Sequence, residues 1–292
     1  MSPRILLEYL AARLVLASLR YLPRSVADRL ARGYVRVLDL SIPRLRRTAY
    51  RNLSMALPGA DRKAVTDGVF RSIARLLVAF ARFPDIGKEN VADWIRYEGF
   101  EHFEEAMHRG RGVLFATAHL GNWELSAFAH ALLSRPMHVV VRPLDNPGID
   151  ALVERRRALS GNWLIPKKEA ARAVLKALAR NEAAGVLIDQ NSSLDEGVFV
   201  EFFGVPACAN PGFAKLAAHS GAAVMPGFAL WSESEGRYVL RFYPIVEMTG
   251  DPLKDTAALQ KQLESVVREH PDQWLWIHRR WKTRPPGEKP LY

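Results

Sequence analysis

The chain has 292 residues, of which 49% are apolar and 25% charged, so it has enough material to bury a sizeable core. This composition excludes a disordered protein, and the single cysteine, Cys208, excludes an internal disulfide and a cysteine-based zinc cluster. The formal net charge of +10 indicates anionic partners, and the lone cysteine is typical of a reducing compartment.

The positive charge is concentrated at the N-terminal end, where residues 1–57 hold eleven arginines and three acidic residues. Residues 1–22 predict an amphipathic helix with Arg13 and Arg20 on one face. The charges argue against a spanning helix, and no cleavage site of a signal peptide follows. We interpret the segment as a membrane-associating helix that lies in the interface, with its arginines directed to anionic headgroups. The alternative is an ordinary helix packed on the domain.

Helical periodicity dominates to about residue 82, and we assign residues 23–95 to a helical region. Its predicted breaks are Pro23, Pro43 and residues 57–61, where Asp61 is placed to cap the next helix. Nucleic-acid binding by this basic region is disfavoured, because aliphatic residues rather than stacking aromatics separate its arginines.

Short apolar runs rich in β-branched or aromatic residues follow, at 112–117, 138–142, 185–189, 197–203, 223–230 and 238–243. Helical segments separate the first several, which predicts an α/β fold with a central, mostly parallel or mixed sheet flanked by helices. The last two runs are close enough to form a hairpin. We expect a single domain over residues 1–292, with the α/β core at 96–292.

The segment LFATAHLGNWELSAF, residues 114–128, places His119 at the carboxyl end of a predicted strand and Glu124 in the first turn of a helix. Open α/β sheets bind their ligands at that edge. A carboxylate that fixes an imidazole tautomer lets the imidazole deprotonate a hydroxyl, so the pair predicts His119 as general base and Glu124 as its orienting acid. Alternatively, Glu124 only complements the helix dipole and the spacing arises by chance.

The same segment carries a resemblance. HLGNWE resembles the H-x4-D/E motif of glycerolipid-type acyltransferases. The intervening residues Gly-Asn-Trp are similar to those of the late acyltransferases of lipid A biosynthesis, the lauroyl and myristoyl transferase family. Further segments similar to that family follow in order at 141–150, 154–166, 187–190, 197–207 and 274–282. The resemblance therefore covers nearly the whole chain, including the basic N-terminus.

The resemblance implies an enzyme that transfers a fatty acyl chain from acyl carrier protein to a hydroxyl of a lipid A precursor, at the cytoplasmic face of the bacterial inner membrane. The implied partners are acyl carrier protein, a lipid A precursor or another anionic lipid, and the membrane surface, and no nucleic acid. Neither a metal nor a cofactor is expected beyond the carrier-bound acyl donor. The family's histidine is a general base supported by the acid, which carries over to His119 and Glu124. No acyl-enzyme is expected, since no histidine neighbours Cys208 in the sequence to activate it.

The oxyanion that forms when a hydroxyl attacks a thioester needs a hydrogen-bond donor or a positive charge. By distance from the motif, the family's site arginine falls in the run at 155–157, where we favour Arg157 and then Arg155. The alternative is that the run forms a solvated helix face. Arg142, at the end of a predicted strand, is a further cation that either holds an anionic substrate group or caps the sheet.

Asp189 and Gln190 end another predicted strand, and they open on the same edge as His119 if the sheet is parallel there. The resemblance supports Asp189 as a site residue, and the alternative is a turn residue that begins a loop. Asn122, in the turn between His119 and the helix, completes the predicted substrate-binding set.

The tail at 274–282, WLWIHRRWK, places Trp274, Ile277 and Trp281 on one stripe of a predicted helix beside basic residues. This stripe fits a bilayer interface, with the cations directed to lipid phosphates or an acidic carrier protein. Core packing with a solvated basic flank is the alternative.

Two other functions stay open on the residues alone. One is an acyltransferase with another phospholipid or glycolipid acceptor, which shares the chemistry and differs in the lining of its pocket. The other is a non-enzymatic membrane-binding or nucleic-acid-binding protein in which His119 is structural.

Overall fold

The N-terminal part of the chain is helical, as predicted. The computed structural model describes residues 2–292, and its first helices are α1 (Pro3–Tyr21), α2 (Arg24–Ser41), α3 (Pro43–Ala56) and α4 (Arg62–Ala81). Asp61 caps α4, because its Oδ1 accepts the N–H groups of Lys63 and Ala64. The predicted breaks at the two prolines and at Asp61 are therefore confirmed.

The remainder alternates strands and helices. The strands are β1 (Ile95–Glu98), β2 (Val113–Thr117), β3 (His138–Val141), β4 (Trp163–Pro166), β5 (Ala183–Leu187), β6 (Val198–Phe202), β7 (Val205–Ala209), β8 (Ala223–Ser232) and β9 (Arg237–Phe242). The later helices are α5 (Phe100–His108), α6 (Trp123–Leu133), α7 (Pro147–Ala158), α8 (Ala170–Leu178), α9 (Gly212–Ser220) and α10 (Pro252–Glu269).

Seven strands form one sheet in the order β1-β9-β8-β2-β5-β3-β4. Every neighbouring pair is parallel except β8 with β9, which is the predicted hairpin. The mostly parallel α/β architecture is confirmed. The predicted run at 197–203 does form a strand, but this strand is not part of the central sheet. Residues 198–202 pair with β7 in a separate two-stranded antiparallel sheet, because β7 follows after a tight turn. The short strands β1, β4 and β7 were not predicted.

The C-terminal tail is not a helix. After α10 only a short 3-10 turn at residues 271–273 is helical, and Trp274 forms an isolated antiparallel bridge with Leu120. Trp274, Trp276 and Trp281 are almost completely buried, so the membrane-interface interpretation of the tail tryptophans is wrong and core packing is correct for them. The solvated basic flank of that alternative is wrong for Arg280, which is fully buried. An irregular segment, rather than a helix, places the three tryptophan side chains in the core.

The first helix is only partly buried. Leu16 and Leu19 of α1 lie in the core, and the helix packs against α2, α4 and α7. Leu7 and Leu14 are 69% and 71% exposed. Among residues 2–292, no helix combines the length and apolar character that crossing a bilayer requires.

Candidate active site

The register of two neighbouring parallel strands brings His119 and Asp189 together. Thr117, the last residue of β2, lies opposite Leu187, the last residue of β5. His119 and Asp189 each follow two residues later, so both lie at the carboxyl edge of the sheet. The predicted placement of both residues at this edge is confirmed.

A sharp turn then redirects the chain from His119 into α6. Gly121 has φ +63°, and a Cβ there would lie 2.0 Å from the carbonyl oxygen of Ala229, so only glycine fits. The backbone N–H of Asn122 donates to the same carbonyl at 2.9 Å. The Asn122 side chain is fully buried and caps α6 by accepting the N–H of Leu125. Its expected substrate contact is therefore wrong, because its oxygen is engaged in the cap and it does not line the cavity described below.

Asp189 holds the imidazole of His119 in one orientation. His119 Nδ1 donates to Asp189 Oδ1 at 2.9 Å, and the His119 backbone N–H donates to Oδ2 at 3.0 Å. The Trp274 indole N–H donates to Oδ2 as well, at 2.9 Å. Since a carboxylate only accepts, Nδ1 carries the proton and Nε2 of the neutral ring is an acceptor. The amide nitrogen of Gln190 lies 3.4 Å from Nε2.

Asp189 is buried and the His119 side chain is 15% exposed, and the electrostatics of the pair favour a charged imidazole. Burial alone would raise the pKa of Asp189, but the charge and hydrogen bonds of His119, with the Trp274 donor, lower it to about 2. Burial works against protonation of His119, but the Asp189 carboxylate outweighs it and raises the pKa of the imidazole. His119 is therefore a stronger base than an ordinary histidine.

Glu124 has a different partner from the one predicted. Its carboxylate pairs with Arg157 of α7, with distances of 2.8 Å from Nε to Oε2 and 2.5 Å from Nη2 to Oε1. Burial opposes ionisation of Arg157, but the Glu124 hydrogen bond raises the pKa of the guanidinium. The expectation that Glu124 orients His119 is wrong, because Asp189 takes the ring nitrogen and Glu124 the arginine. Glu124 reaches His119 only through its longer-range charge, which adds to the rise in the pKa.

The two other predicted cations lie in different places. Arg142 follows β3 and lines the same cavity as His119, with a side chain that is 80% exposed. Arg155 does not reach this cavity, so its expected oxyanion contact is wrong. The helical turn carries it with Arg156 to the side of α7 that faces α1.

A cavity of about 990 Å³ opens beside His119. It runs along α6 from Trp123 and Glu124 in the first turn to His130 in the last. Its interior is mostly apolar, with walls that include Phe115, Phe128, Met137, Val139, Leu240 and Phe242. Burial lowers the pKa of His130 to about 3, so this histidine is neutral and the interior carries no charge there. The volume and the apolar walls suit a long apolar ligand.

Two features of the site were missed in the sequence. The Trp274 indole is a hydrogen-bond partner of Asp189, whereas the sequence predicts only a helical stripe in this tail. His278 accepts the backbone N–H of Asn191 at 3.1 Å and so holds the loop after Asp189. The one signal for both was the resemblance of residues 274–282, since no periodicity predicts this irregular segment. Among residues 2–292, no cluster of three His, Cys, Asp or Glu side chains could hold a metal ion.

Comparison with known proteins identifies the family of this chain. The model of the bacterial lipid A biosynthesis acyltransferase family matches residues 2–283. The lipid A biosynthesis palmitoleoyltransferase of Escherichia coli K12 is 30% identical over 254 residues, 84% of this chain and 81% of that protein. The lauroyltransferase of the same organism is 29% identical over 280 residues, 93% and 90% of the two chains. A lipid A biosynthesis acyltransferase of Haemophilus influenzae is 27% identical over 248 residues, 83% and 77%. With a match over nearly its whole length, the chain belongs to the bacterial lipid A biosynthesis acyltransferase family.

Proposed function

We propose that this protein transfers a fatty acyl chain from an acyl carrier protein thioester to a hydroxyl group of a lipid A precursor. The observation that carries the proposal is the His119 imidazole, oriented by buried Asp189 and placed at an apolar cavity of about 990 Å³. A base beside a long apolar cavity is what acyl transfer to a hydroxyl requires.

The reaction is a direct transfer in a ternary complex. The acceptor hydroxyl displaces the Gln190 amide and donates its proton to His119 Nε2 as its oxygen attacks the thioester carbonyl carbon. The C–S bond breaks when the tetrahedral intermediate collapses, and the imidazolium returns the proton to the departing thiolate. Asp189 stays ionised and stabilises the imidazolium while it exists.

Arg157 is the candidate for stabilising the oxyanion. Glu124 engages its Nε and Nη2, while Nη1 has no hydrogen-bond partner among residues 2–292. The guanidinium lines the cavity with His119. Glu124 is then a positioning residue that fixes the direction of the remaining donors.

The cavity and its mouth match the two substrates. The aromatic and aliphatic walls would hold the acyl chain. Arg142 and Lys167 line the same cavity and would attract the phosphates of a lipid A precursor or of the carrier's pantetheine arm. Coenzyme A thioesters offer similar chemistry, so the donor is identified by comparing transfer rates from the two kinds of thioester.

We further propose that the protein works at the cytoplasmic face of the bacterial inner membrane. The exposed leucines of α1 and the excess of arginines in residues 1–57 support an interfacial contact with anionic lipid. In this organisation residues 1–22 associate with the membrane, residues 23–95 form a helical region, and residues 96–292 form the catalytic core of a single domain.

The test is a transfer assay with purified protein, read by mass spectrometry of the acceptor. The donors are acyl carrier protein and coenzyme A thioesters, and the acceptors are a lipid A precursor and a phospholipid. We expect a lipid A precursor heavier by one acyl group with the carrier-protein donor. His119→Ala is expected to lower the rate by roughly 10²–10⁴-fold, the usual contribution of a general base.

The matched control is His219→Ala, which removes an exposed histidine on α9 and should leave the rate unchanged. Acylation of the phospholipid alone would show that a lipid A precursor is not the acceptor. Full activity of the His119 variant would reject the general-base mechanism. The absence of transfer with any donor would reject the proposed acyltransferase activity.

A further inference from the structure

A second cavity lies between α1 and α7, on the opposite side of α7 from Arg157. Its volume is about 360 Å³. Four arginines and two tyrosines line it, with no residue in common with the cavity beside His119: Arg13, Arg20, Arg155, Arg156, Tyr9 and Tyr21. Such a concentration of guanidinium groups around a small cavity is typical of an anion site.

Most of this positive charge is uncompensated. Arg20 forms an ion pair with Asp85, with 2.7 Å between Nη2 and Oδ1. Arg13, Arg155 and Arg156 form no ion pair with any carboxylate among residues 2–292. The Nε of Arg156 is buried and also lacks a hydrogen-bond partner within that range. Burial and the charge of Arg20 lower the pKa of Arg156, so like charges are held together at a cost that a bound anion would relieve.

Aromatic rings hold two of the guanidinium groups at the cavity. Arg13 Cζ lies 5.7 Å from the centre of the Tyr9 ring, and Arg20 Cζ lies 5.1 Å from that of Tyr21. These contacts limit the freedom of side chains that would otherwise extend into solvent. The cavity is therefore partly organised before any ligand binds.

The cavity borders the exposed leucine surface of α1. Helical geometry places Arg13 and Arg20 between the buried face, with Leu16 and Leu19, and an exposed stripe that includes Leu7 and Leu14. The exposed ring of Tyr21 continues the stripe toward the end of the helix. A lipid whose acyl chains met the leucines would bring its phosphate to the arginines.

We propose that the cavity between α1 and α7 binds the phosphate group of an anionic phospholipid in the membrane on which the protein lies. The inference rests on the proposed membrane association and adds a defined headgroup site to it. Binding there would couple α1 to α7, the helix that carries Arg157 into the active site.

The test is flotation of the full-length protein with vesicles of phosphatidylcholine, alone or mixed with phosphatidylglycerol, at one ionic strength. We expect the double variant Arg155→Gln, Arg156→Gln to weaken the phosphatidylglycerol-dependent binding by about fivefold for each arginine removed. The matched control is Arg111→Gln, Arg172→Gln, which removes the same charge from exposed positions that form no ion pair among the described residues. Arg156→Lys should retain part of the binding.

Transfer in detergent micelles is measured with the same proteins to separate the two proposals. Equal losses of phosphatidylglycerol-dependent vesicle binding in both double variants would overturn the headgroup site while leaving membrane association intact. Absence of binding of the unaltered protein to both vesicles would reject membrane association, and transfer in micelles would still report on the chemistry. Tight, saturable binding of inorganic phosphate to the cavity with no effect of phosphatidylglycerol would assign the site to a soluble phosphate compound and overturn the lipid assignment.

Discussion

At the scale of single residues, the site contains two carboxylates with separate partners. Asp189 hydrogen-bonds to the ring and the backbone of His119, which fixes both the tautomer and the position of the imidazole. Glu124 holds Arg157 through two parallel hydrogen bonds. A base and a cation are thus each oriented by their own acid at one cavity.

This division of labour predicts different effects for the two acids. Glu124→Gln should lower the rate roughly 10²-fold, because Arg157 loses its charged partner and its direction. The acid limb of the pH–rate profile of this variant should move by less than that of an Asp189 variant, since Glu124 affects His119 only through its charge. Rates measured against pH test this, with Glu104→Gln on the exposed surface of α5 as the control. An equal displacement of the limb by both acids would contradict the division.

The sequence was sufficient to predict which residues meet at the edge but not how they pair. A parallel sheet with His119 and Asp189 after its strands places both at one edge. The choice between Asp189 and Glu124 as partner of His119 depends on strand register and side-chain rotamers, which spacing does not encode. The five-residue spacing therefore assigned to Glu124 a hydrogen bond that Asp189 makes.

At the scale of secondary-structure elements, the turn from β2 into α6 sets the geometry of the site. Its close contact with β8 at Gly121 fixes where α6 begins, and α6 forms one wall of the cavity. The turn and the long strands were predictable from local signals. The tail around Trp274 was not, because its position depends on long-range burial rather than on periodicity.

Gly121→Ala should therefore damage both stability and activity. The residue would be strained at φ +63°, by about 1–2 kcal/mol, and its Cβ would also collide with the Ala229 carbonyl. Thermal unfolding and transfer rate measure the two effects. The control is Gly236→Ala, which has the same φ but open space around its Cβ. If Gly121→Ala cost no more stability than Gly236→Ala, the close contact would not constrain the turn.

At the scale of the whole molecule, the apolar interior between the sheet and α6 forms a long cavity as well as a core. The mostly parallel α/β fold followed from the alternation of apolar runs and helices. The cavity did not, since its lining residues are the same apolar types that fill a core. Composition alone cannot distinguish a filled interior from a hollow one.

A larger side chain in this cavity should shorten the acyl chain that is transferred. Ala127→Phe adds an aromatic ring to the wall formed by α6. We expect the preference among acyl donors to move to shorter chains, measured by competition between carrier-protein thioesters. Ala158→Phe, on exposed α7 surface, should leave the preference unchanged. An unaltered preference in Ala127→Phe would place the acyl chain elsewhere.

The central claim is that Asp189 makes His119 the base that accepts the acceptor proton, and the pH–rate profile of Asp189→Asn tests it most directly. The carboxylate raises the pKa of His119 above the ordinary 6.5, so the rate of the unaltered enzyme should rise with pH along a limb above that value. Without the carboxylate, burial favours the neutral ring, so the limb should move to lower pH while the maximal rate falls. Asp195→Asn, in the exposed loop after Asp189, should keep the original profile. An Asp189→Asn profile with its limb at the original pH would contradict the account.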